Sequence, residues 1–342
     1  MTVTLADVAD RAGVSAATVS RVLNGNYPVA TRTRARVLRA VQELDYVVNA
    51  HARSLAGSTS DVVGVLVNDV ADPFFGLLAG AVQSQVSGLD LLTIIANTGG
   101  TPEEELRYLE LLMRQRARAV VITGGQSGGP EHVERLSALI RRAHGAGMQV
   151  VFCGRPLLPD TPAVAVDVDN RRGAETLTRH LTAFGHRHIA YLTGPPANTT
   201  TDARLAGHLD AMRAAGLAPG PVVAGSFGRD AGLQLAPALL QRSAPPTAII
   251  AANDQAASGV LAAARELGIA VPAALSVAGF DDLPVSGDTV PALTTVRVPF
   301  EELGRRAGRI AMGADAAQPG STITVRTELI VRDSVHHPAD TR

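Results

Sequence analysis

The chain has 342 residues, 46% of them hydrophobic, which is enough for two or three cores rather than one. Charged residues make up 18%, and 31 basic against 32 acidic residues leave a net charge of −1, which excludes a strongly basic coat for nucleic acid and a polyacidic disordered chain. Aromatic residues are only 3%, Trp is absent and every basic residue is Arg, so aliphatic cores are expected; the single Cys153 excludes a disulfide framework and fits a reducing compartment.

Residues 1–30 carry Asp7, Asp10, Arg11 and Arg21 with no uncharged apolar stretch, and later apolar runs such as Val62–Val67 are far too short for a bilayer. A cytoplasmic protein with no membrane partner is expected. The charge is uneven: residues 1–60 hold seven Arg against four acids, a net +3 that leaves −4 for the remainder. A basic head on an acidic body points to a polyanion as the partner of the head.

Thr4 is a plausible N-cap for a helix over Leu5–Ala12, whose Leu5, Val8, Ala9 and Ala12 share one face. Gly13 ends it, Ser15 can cap a second helix over Ala16–Leu23, and Asn24-Gly25 closes that one. The placing of Ala9, Gly13 and Val19 meets the needs of a helix-turn-helix: a small residue where the helices touch, a Gly for positive φ in the turn, and a branched apolar lock on the second helix. An ordinary αα-hairpin meets the same spacing. A third helix is expected over Thr31–Leu44, with Val37, Leu38, Val41 and Leu44 as its buried stripe. Beyond it, Val48–Ala56 can form a short helix that runs into the Gly/Ser linker Gly57–Ser60; so short a helix is marginal in water without a partner.

From residue 61 onward short apolar runs alternate with helix-length stretches. The first series has strands at Val62–Val67, Leu91–Ala96, Ala119–Thr123 and Val150–Phe152, with helices at Phe75–Val86, Glu103–Arg116 and Glu131–His144. The second has strands at Val164–Val166, Ile189–Thr193, Val222–Ala224, Ala248–Ala251 and Ser276–Ala278, with helices at Arg172–Phe184, Asp202–Ala215, Ala231–Leu240 and Gln255–Leu267. Two such runs predict an α/β body of two doubly wound parallel-sheet lobes, and Thr322–Val331 reads as a last strand. No leucine heptads follow it, so a homodimer is expected.

Ligands of open α/β sheets bind beyond the carboxyl ends of the strands. That rule selects Asn68, Asp69, Asp72, Asn97, Gly124-Gly125 and Arg155 in the first lobe, and Asp167, Asp169, Gly194, Phe227, Asn253-Asp254 and Asp281-Asp282 in the second. Carboxylates, amides and Arg with an occasional ring suit a sugar, whose vicinal hydroxyls take bidentate hydrogen bonds while its apolar face packs on the ring. Asn253 and Asp254 can equally cap the helix that follows. Enzyme chemistry finds no footing: the Gly-rich stretch Gly124–Pro130 lacks the Lys of a phosphate loop, Cys153 has no His partner, and His186, His188, His336 and His337 have no metal-site company. No enzyme activity, cofactor or metal is expected.

The segment TLADVADRAGVSAATVSRVLNG followed by ARSLAG resembles the head and hinge of the lac repressor (LacI/GalR) family of bacterial transcriptional regulators. GHRHIAYLTGP, RLAGHLDAM, PTAIIAANDQAASGVL, SVAGFDD and PALTTVRVP extend the resemblance over nearly the whole chain. It implies a three-helix head over 1–48, a hinge helix and linker over 49–60, and a periplasmic-binding-protein-like body over 61–338. One lobe would take about 61–166 and 297–323, the other about 169–294 and 326–338. It also implies a homodimer on a palindromic double-stranded operator. Ala16, Ala17 and Arg21 would face base edges, Arg21 reaching a guanine; Thr4, Ser15, Thr18, Ser20, Asn24 and Arg53 would add contacts to the duplex, and Leu55 would wedge between base pairs. Arg204, Asn253 and Asp281, joined by Asp72, Phe74, Arg155 and Phe227, would hold the effector, a sugar or oligosaccharide. A purine or nucleoside is the alternative ligand, and a solute-binding receptor the alternative function. Two positions depart from the family: Val48 replaces a common Pro before the hinge, and Ala30 replaces a Ser, leaving Thr31 as a substitute cap.

Overall fold

The computed structural model describes residues 3–24, 28–46, 60–89 and 91–338. It divides into two compact units, Met1–Asp61 and Val62–Arg342. The hinge residues, including Arg53 and Leu55, lie outside the described residues.

In the first unit α1 (Leu5–Ala12), α2 (Ala16–Asn24) and α3 (Thr31–Glu43) enclose Val8, Ala9, Ala12, Val19, Val22, Val37 and Ala40. Thr4 and Asp7 form a reciprocal capping box at the start of α1, and Gly13 ends the helix with a left-handed φ of 61° that any other residue would adopt only with strain. The guanidinium of Arg36 clamps that turn from α3, donating to the carbonyls of Ala12 and Gly13 at 2.6–3.0 Å. Two expectations are corrected here. Leu38 is 44% exposed, because the buried face of α3 runs through Val37, Ala40, Val41 and Leu44, and Leu38 lies a hundred degrees around the helix from Val37. Thr31 is the first helical residue and caps nothing; α3 starts from Ala30 without a side-chain cap.

The second unit carries a parallel six-stranded sheet of β1 (Val62–Val67), β2 (Leu92–Asn97), β3 (Ala119–Thr123), β4 (Gln149–Cys153), β5 (Val164–Val168) and β11 (Thr322–Val325), in the order β11-β5-β4-β3-β1-β2. Its helices are α4 (Pro73–Ser84), α5 (Pro102–Arg114), α6 (Pro130–Gly145) and α11 (Phe300–Ala311). A second parallel sheet, β7-β6-β8-β9, is made of β6 (Ile189–Thr193), β7 (Val222–Ala224), β8 (Ala248–Ala251) and β9 (Ser276–Ala278), with α7 (Asn170–Ala183), α8 (Thr199–Ala214), α9 (Arg229–Leu240) and α10 (Asp254–Glu266). An antiparallel pair, β10 (Thr295–Arg297) with β12 (Glu328–Ile330), completes the unit. β1, β3 and β8 are wholly or almost wholly buried, as expected of parallel strands covered on both faces.

The chain order of the strands is not their order in space. The strand read as Val164–Val166 and grouped by its place in the alternation with the second series, though within the first lobe by the resemblance, spans Val164–Val168 and hydrogen-bonds between β4 and β11 in the first sheet. Thr322–Val331 is not one strand: β11 closes the first sheet, and after Arg326-Thr327 the chain turns to pair β12 with β10. α11 went unforeseen. It packs on α4, and the contact is close because Gly304 and Gly308 carry no side chain; a Cβ on them would come within 2.8 Å of the Leu78 carbonyl and 3.0 Å of the Val82 carbonyl.

Candidate nucleic-acid interface and ligand cleft

α2 buries Val19 and Val22 against the core of the first unit and leaves Ala16, Ala17 and Arg21 exposed. Ala17 and Arg21 are one helical turn apart, so they share the outward face. Ser15 serves the N-terminus of the helix: its hydroxyl accepts from the Thr18 amide at 3.2 Å and lies 2.9 Å from the Thr18 hydroxyl. Thr4 is likewise engaged locally, its hydroxyl 2.7 Å from the Asp7 carboxylate, which that bond holds below the usual range. Both have structural work as caps in addition to any contact with DNA. Ser20 is half-buried on α2 and Asn24 is its last residue. On α3, Arg32, Arg34 and Arg39 are exposed, so positive charge accompanies the outward face of α2 in this small unit.

In the second unit residues that follow β5, β8 and β9 gather around Arg204 of α8. Its guanidinium donates to Asn170 Oδ1 at 2.9 Å, the Ala252 carbonyl at 2.7 Å and Asp281 Oδ1 at 2.8 Å, and it lies 3.7 Å over the Phe280 ring. Burial pushes the Asp281 carboxyl up, and the Arg204 guanidinium pulls it only part of the way back. Asp281 and Asp282 both have positive φ, 110° and 56°, strain that the bonds between Asp281 and Val296 and Val298 hold in place. The sequence reading gave Arg204 and Asp281 separate ligand roles. The structure instead spends each largely on the other, so a ligand meets an assembled pair.

The remaining positions sort differently. Asp72 caps α4 through the Phe74 amide at 2.9 Å; burial raises its carboxyl, and its charge is near enough to push Asp281 further up. Asn253 caps α10 through the Ala256 amide at 2.9 Å. Asp254 turns inward, bonding the Ser286 and Thr295 hydroxyls and the Leu283 amide, and burial pushes it up to about 6. Phe227 lies against Gly194, where a Cβ would clash with its ring, and beside the buried, unpartnered hydroxyl of Thr201. Phe74 stands edge-on to Phe75 at 4.9 Å and to Phe300 at 5.3 Å. The unforeseen α11 therefore makes Phe74 a packing residue, and Phe75 is the ring that lies against Gly124 at the end of β3.

Arg155 is fully enclosed after β4. It donates to the carbonyls of Gly124 at 2.7 Å and Thr123 at 3.1 Å, and its Nη2 pairs with Glu105 at 2.8 Å. Burial would raise the Glu105 carboxyl, but Arg155 and the His132 contact at 3.3 Å outweigh it and hold it at about 2. Sequence reading passed over Glu105 as one of three Glu in the first turn of α5. A signal was available: Glu105 stands at i−4 and i−7 from the buried Leu109 and Leu112, on the apolar stripe.

The Gly-rich stretch Gly124–Pro130 connects the two sheets. Gln126 and Thr199 exchange hydrogen bonds at 2.9 and 3.0 Å, Ser127 pairs with Asn198 as an antiparallel bridge, and the Asn198 amide donates to the Ser127 hydroxyl at 3.0 Å. These bonds join the β3 end of one sheet to the α8 end of the other, closing the cleft. Cys153 is fully buried, and burial pushes its thiol well up. Among the described residues no group of His, Cys, Asp and Glu could hold a metal, and no helix is long and apolar enough to cross a membrane.

Residues 4–49 match the family described as bacterial regulatory proteins, lacI family, and residues 178–335 match the periplasmic binding protein-like domain. The chain is similar to the HTH-type transcriptional regulator GalS of Salmonella typhimurium, 36% identical over 324 residues, covering 94% of this chain and 93% of the relative. Among solved structures it resembles the lac repressor dimer bound to operator and the anti-inducer ONPF, with TM-score 0.81, 28% identity and coverage of 98% of this chain and 100% of that one. It also resembles the transcriptional regulator CelR in complex with cellobiose, with TM-score 0.70, 31% identity and coverage of 97% and 99%.

Proposed function

Because the chain belongs to the lacI family of bacterial regulatory proteins, and is a DNA-binding transcriptional regulator, we propose that it is a cytoplasmic homodimeric repressor whose affinity for a palindromic operator is switched by a sugar held between the lobes of its body. The observation that carries the reading is the cleft itself. Hydrogen-bonding side chains from the carboxyl ends of both sheets converge there, and the bonds between Gln126–Ser127 and Asn198–Thr199 link the two walls. A ligand touching both walls favours the closed arrangement, and it can switch DNA binding only through that difference in affinity. CelR with cellobiose is a precedent for a carbohydrate in such a body. A purine would call for rings stacked on both faces; Phe280 lies buried under Arg204 and Phe75 is buried against Gly124, so among the cleft rings described above Phe227 alone is partly open.

The proposal of a dimer is supported by β2, an edge strand with Leu92 61%, Ile94 37% and Ile95 45% exposed. An apolar edge of this kind invites pairing unless it is covered, and a second copy of the chain supplies the cover. One short head reads few base pairs, and two-fold symmetry doubles the site.

The test is operator titration with and without a panel of mono- and disaccharides and of purines, alongside sedimentation analysis. A sugar that shifts the operator midpoint of a dimer supports the proposal. Release by purines and by no sugar overturns the carbohydrate reading, and a monomeric footprint on an asymmetric site overturns the dimer.

A further inference from the structure

Arg155 lines a crevice with Asn68, Thr98, Gly125 and Ser127, beyond the carboxyl ends of the first four strands of the first sheet and next to the bridge to Asn198. It is 1% exposed, and its Nη1 has no hydrogen-bond partner among the described residues, although Nε and Nη2 are fully engaged. A buried donor left over in this way is poised for an acceptor that enters the crevice. The charge of the guanidinium is a different matter from its geometry. Glu105 sits 2.8 Å from Nη2, is itself buried, and stays ionised because Arg155 and His132 hold its proton affinity low.

From this we infer that the first lobe selects an uncharged, hydroxyl-bearing effector and rejects the phosphorylated or carboxylated forms of the same sugar, because Glu105 has already neutralised the cation that would receive the anion. The inference deepens the carbohydrate reading above and rests on it. A hydroxyl needs only one donor with a fixed direction, and Nη1 is fixed by the three bonds that orient the fork. A phosphate or carboxylate entering the same crevice would lose its hydration and gain no uncommitted charge, while standing close to the Glu105 carboxylate. The opposite wall offers no compensation, since Arg204 is paired with Asp281, and Asp72 of the first lobe adds a further negative charge near that pair. Glu105 is thus a positioning and specificity residue that acts through Arg155.

The experiment uses the full chain and matched probes: galactose with galactose 6-phosphate and galacturonate, glucose with glucose 6-phosphate and glucuronate, ribose with ribose 5-phosphate, each titrated against the operator complex and by thermal melting. The neutral member of at least one set is expected to act at a concentration at least tenfold below its anionic partners. Glu105→Gln, which keeps an acceptor for Arg155 but removes the charge, is expected to narrow that ratio at least tenfold. A merely structural role would weaken both members alike and leave the ratio unchanged. The double variant Glu105→Gln/Arg155→Gln, again without net charge at the site, is expected to restore the wide ratio. Equal or tighter binding of an anionic member to wild type overturns the inference while leaving the carbohydrate reading intact, and this comparison holds even where Glu105→Gln does not fold. An unchanged ratio in a folded Glu105→Gln protein also overturns it. A response to purines and to no sugar in any form overturns the carbohydrate reading and the inference with it.

Discussion

Arg204→Ala is expected to be costly to the fold as well as to ligand binding. The side chains of Arg204 and Asp281 are 5% and 3% exposed, so the substitution leaves a carboxylate in a dry interior with its partner gone. Breaking such a pair from one side costs about 3–5 kcal/mol. Some of the loss comes from the Phe280 face that the guanidinium covers at 3.7 Å and from the Ala252 carbonyl it satisfies. The sign of the pH dependence follows from Asp281. Its carboxyl, already raised by burial, rises further without Arg204, so the folded state then binds a proton that the unfolded chain has released. Below the unfolded carboxylate range, near pH 4, both states are protonated and the penalty is small. It grows as the pH climbs through and beyond that range toward the raised folded value. Urea denaturation followed by circular dichroism at several pH values between about 5 and 8 measures it, with Arg204→Ala/Asp281→Asn as the control that removes the stranded charge and recovers part of the loss. A cost below about 1 kcal/mol, or one independent of pH, would refute the view that this pair is a buried structural element of the cleft.

Gly125→Ala places a Cβ 2.5 Å from Asn198 Oδ1 and 2.6 Å from Thr200 Oγ1, so it should prise apart the bridge between the two sheets and weaken effector binding at least tenfold by calorimetry, with secondary structure kept; undiminished binding would rule out a need for that closure. His208 is fully buried beside Thr178, and burial lowers its pKa from 6.5 to about 4. The folded state therefore takes up its proton later than the unfolded chain, and about 3 kcal/mol of stability present above pH 6.5 should drain away as the pH falls toward 4. His208→Gln should flatten that part of the stability profile, and an unaltered acid limb would assign the loss to other groups. Arg21→Ala should cost about 1–3 kcal/mol on the operator and relax base preference. Equal loss on operator and random DNA, read by competition titration, would make Arg21 a phosphate contact.

Much of this was legible before any coordinates. Ala9, Gly13 and Val19 placed the first two helices because caps, turns and small contact residues are local requirements. β1, β3, β6, β8 and β9 fell where the apolar runs put them, since a strand covered on both faces reads as an unbroken run; the short edge strand β7 also fell on its apolar run, although it is half exposed. What periodicity missed was long-range, and the resemblance alone grouped 61–166 with 297–323. No periodicity says that β5 joins the first sheet or that β11 will pair beside it, because the pairing of parallel strands is decided by the crossovers between them. Phe300–Ala311 was missed as a helix although Leu303, Ala307, Ile310 and Ala311 share its buried face. In the cleft, residue types indicated the wall but not the partners: Arg155 was chosen correctly as a residue at a strand end, while Glu105, which decides what Arg155 can do, lies on a helix fifty positions earlier. Asn198 was not among the candidate residues, because its bond to Ser127 depends on the closure of two loops.

The division of the first sheet between distant parts of the chain bears on how the protein is made. β1 to β5 leave the ribosome early, but α11, which covers the face beside α4, and β11, which pairs with β5, come only after the whole β6–β9 sheet has been synthesised. The second sheet with its four helices is drawn from one uninterrupted stretch and can complete itself while the first still has an open edge at β5. The nascent protein therefore passes through a stage in which the β6–β9 sheet is assembled, lacking only the tail that bonds β9 through Ser334, while the earlier-made lobe is waiting, its β5 edge and α4 face uncovered. Such an edge is where a chaperone would bind and where aggregation would begin. Destabilising substitutions in α11 or β11 should accordingly reduce soluble yield more than their effect on the finished protein would suggest.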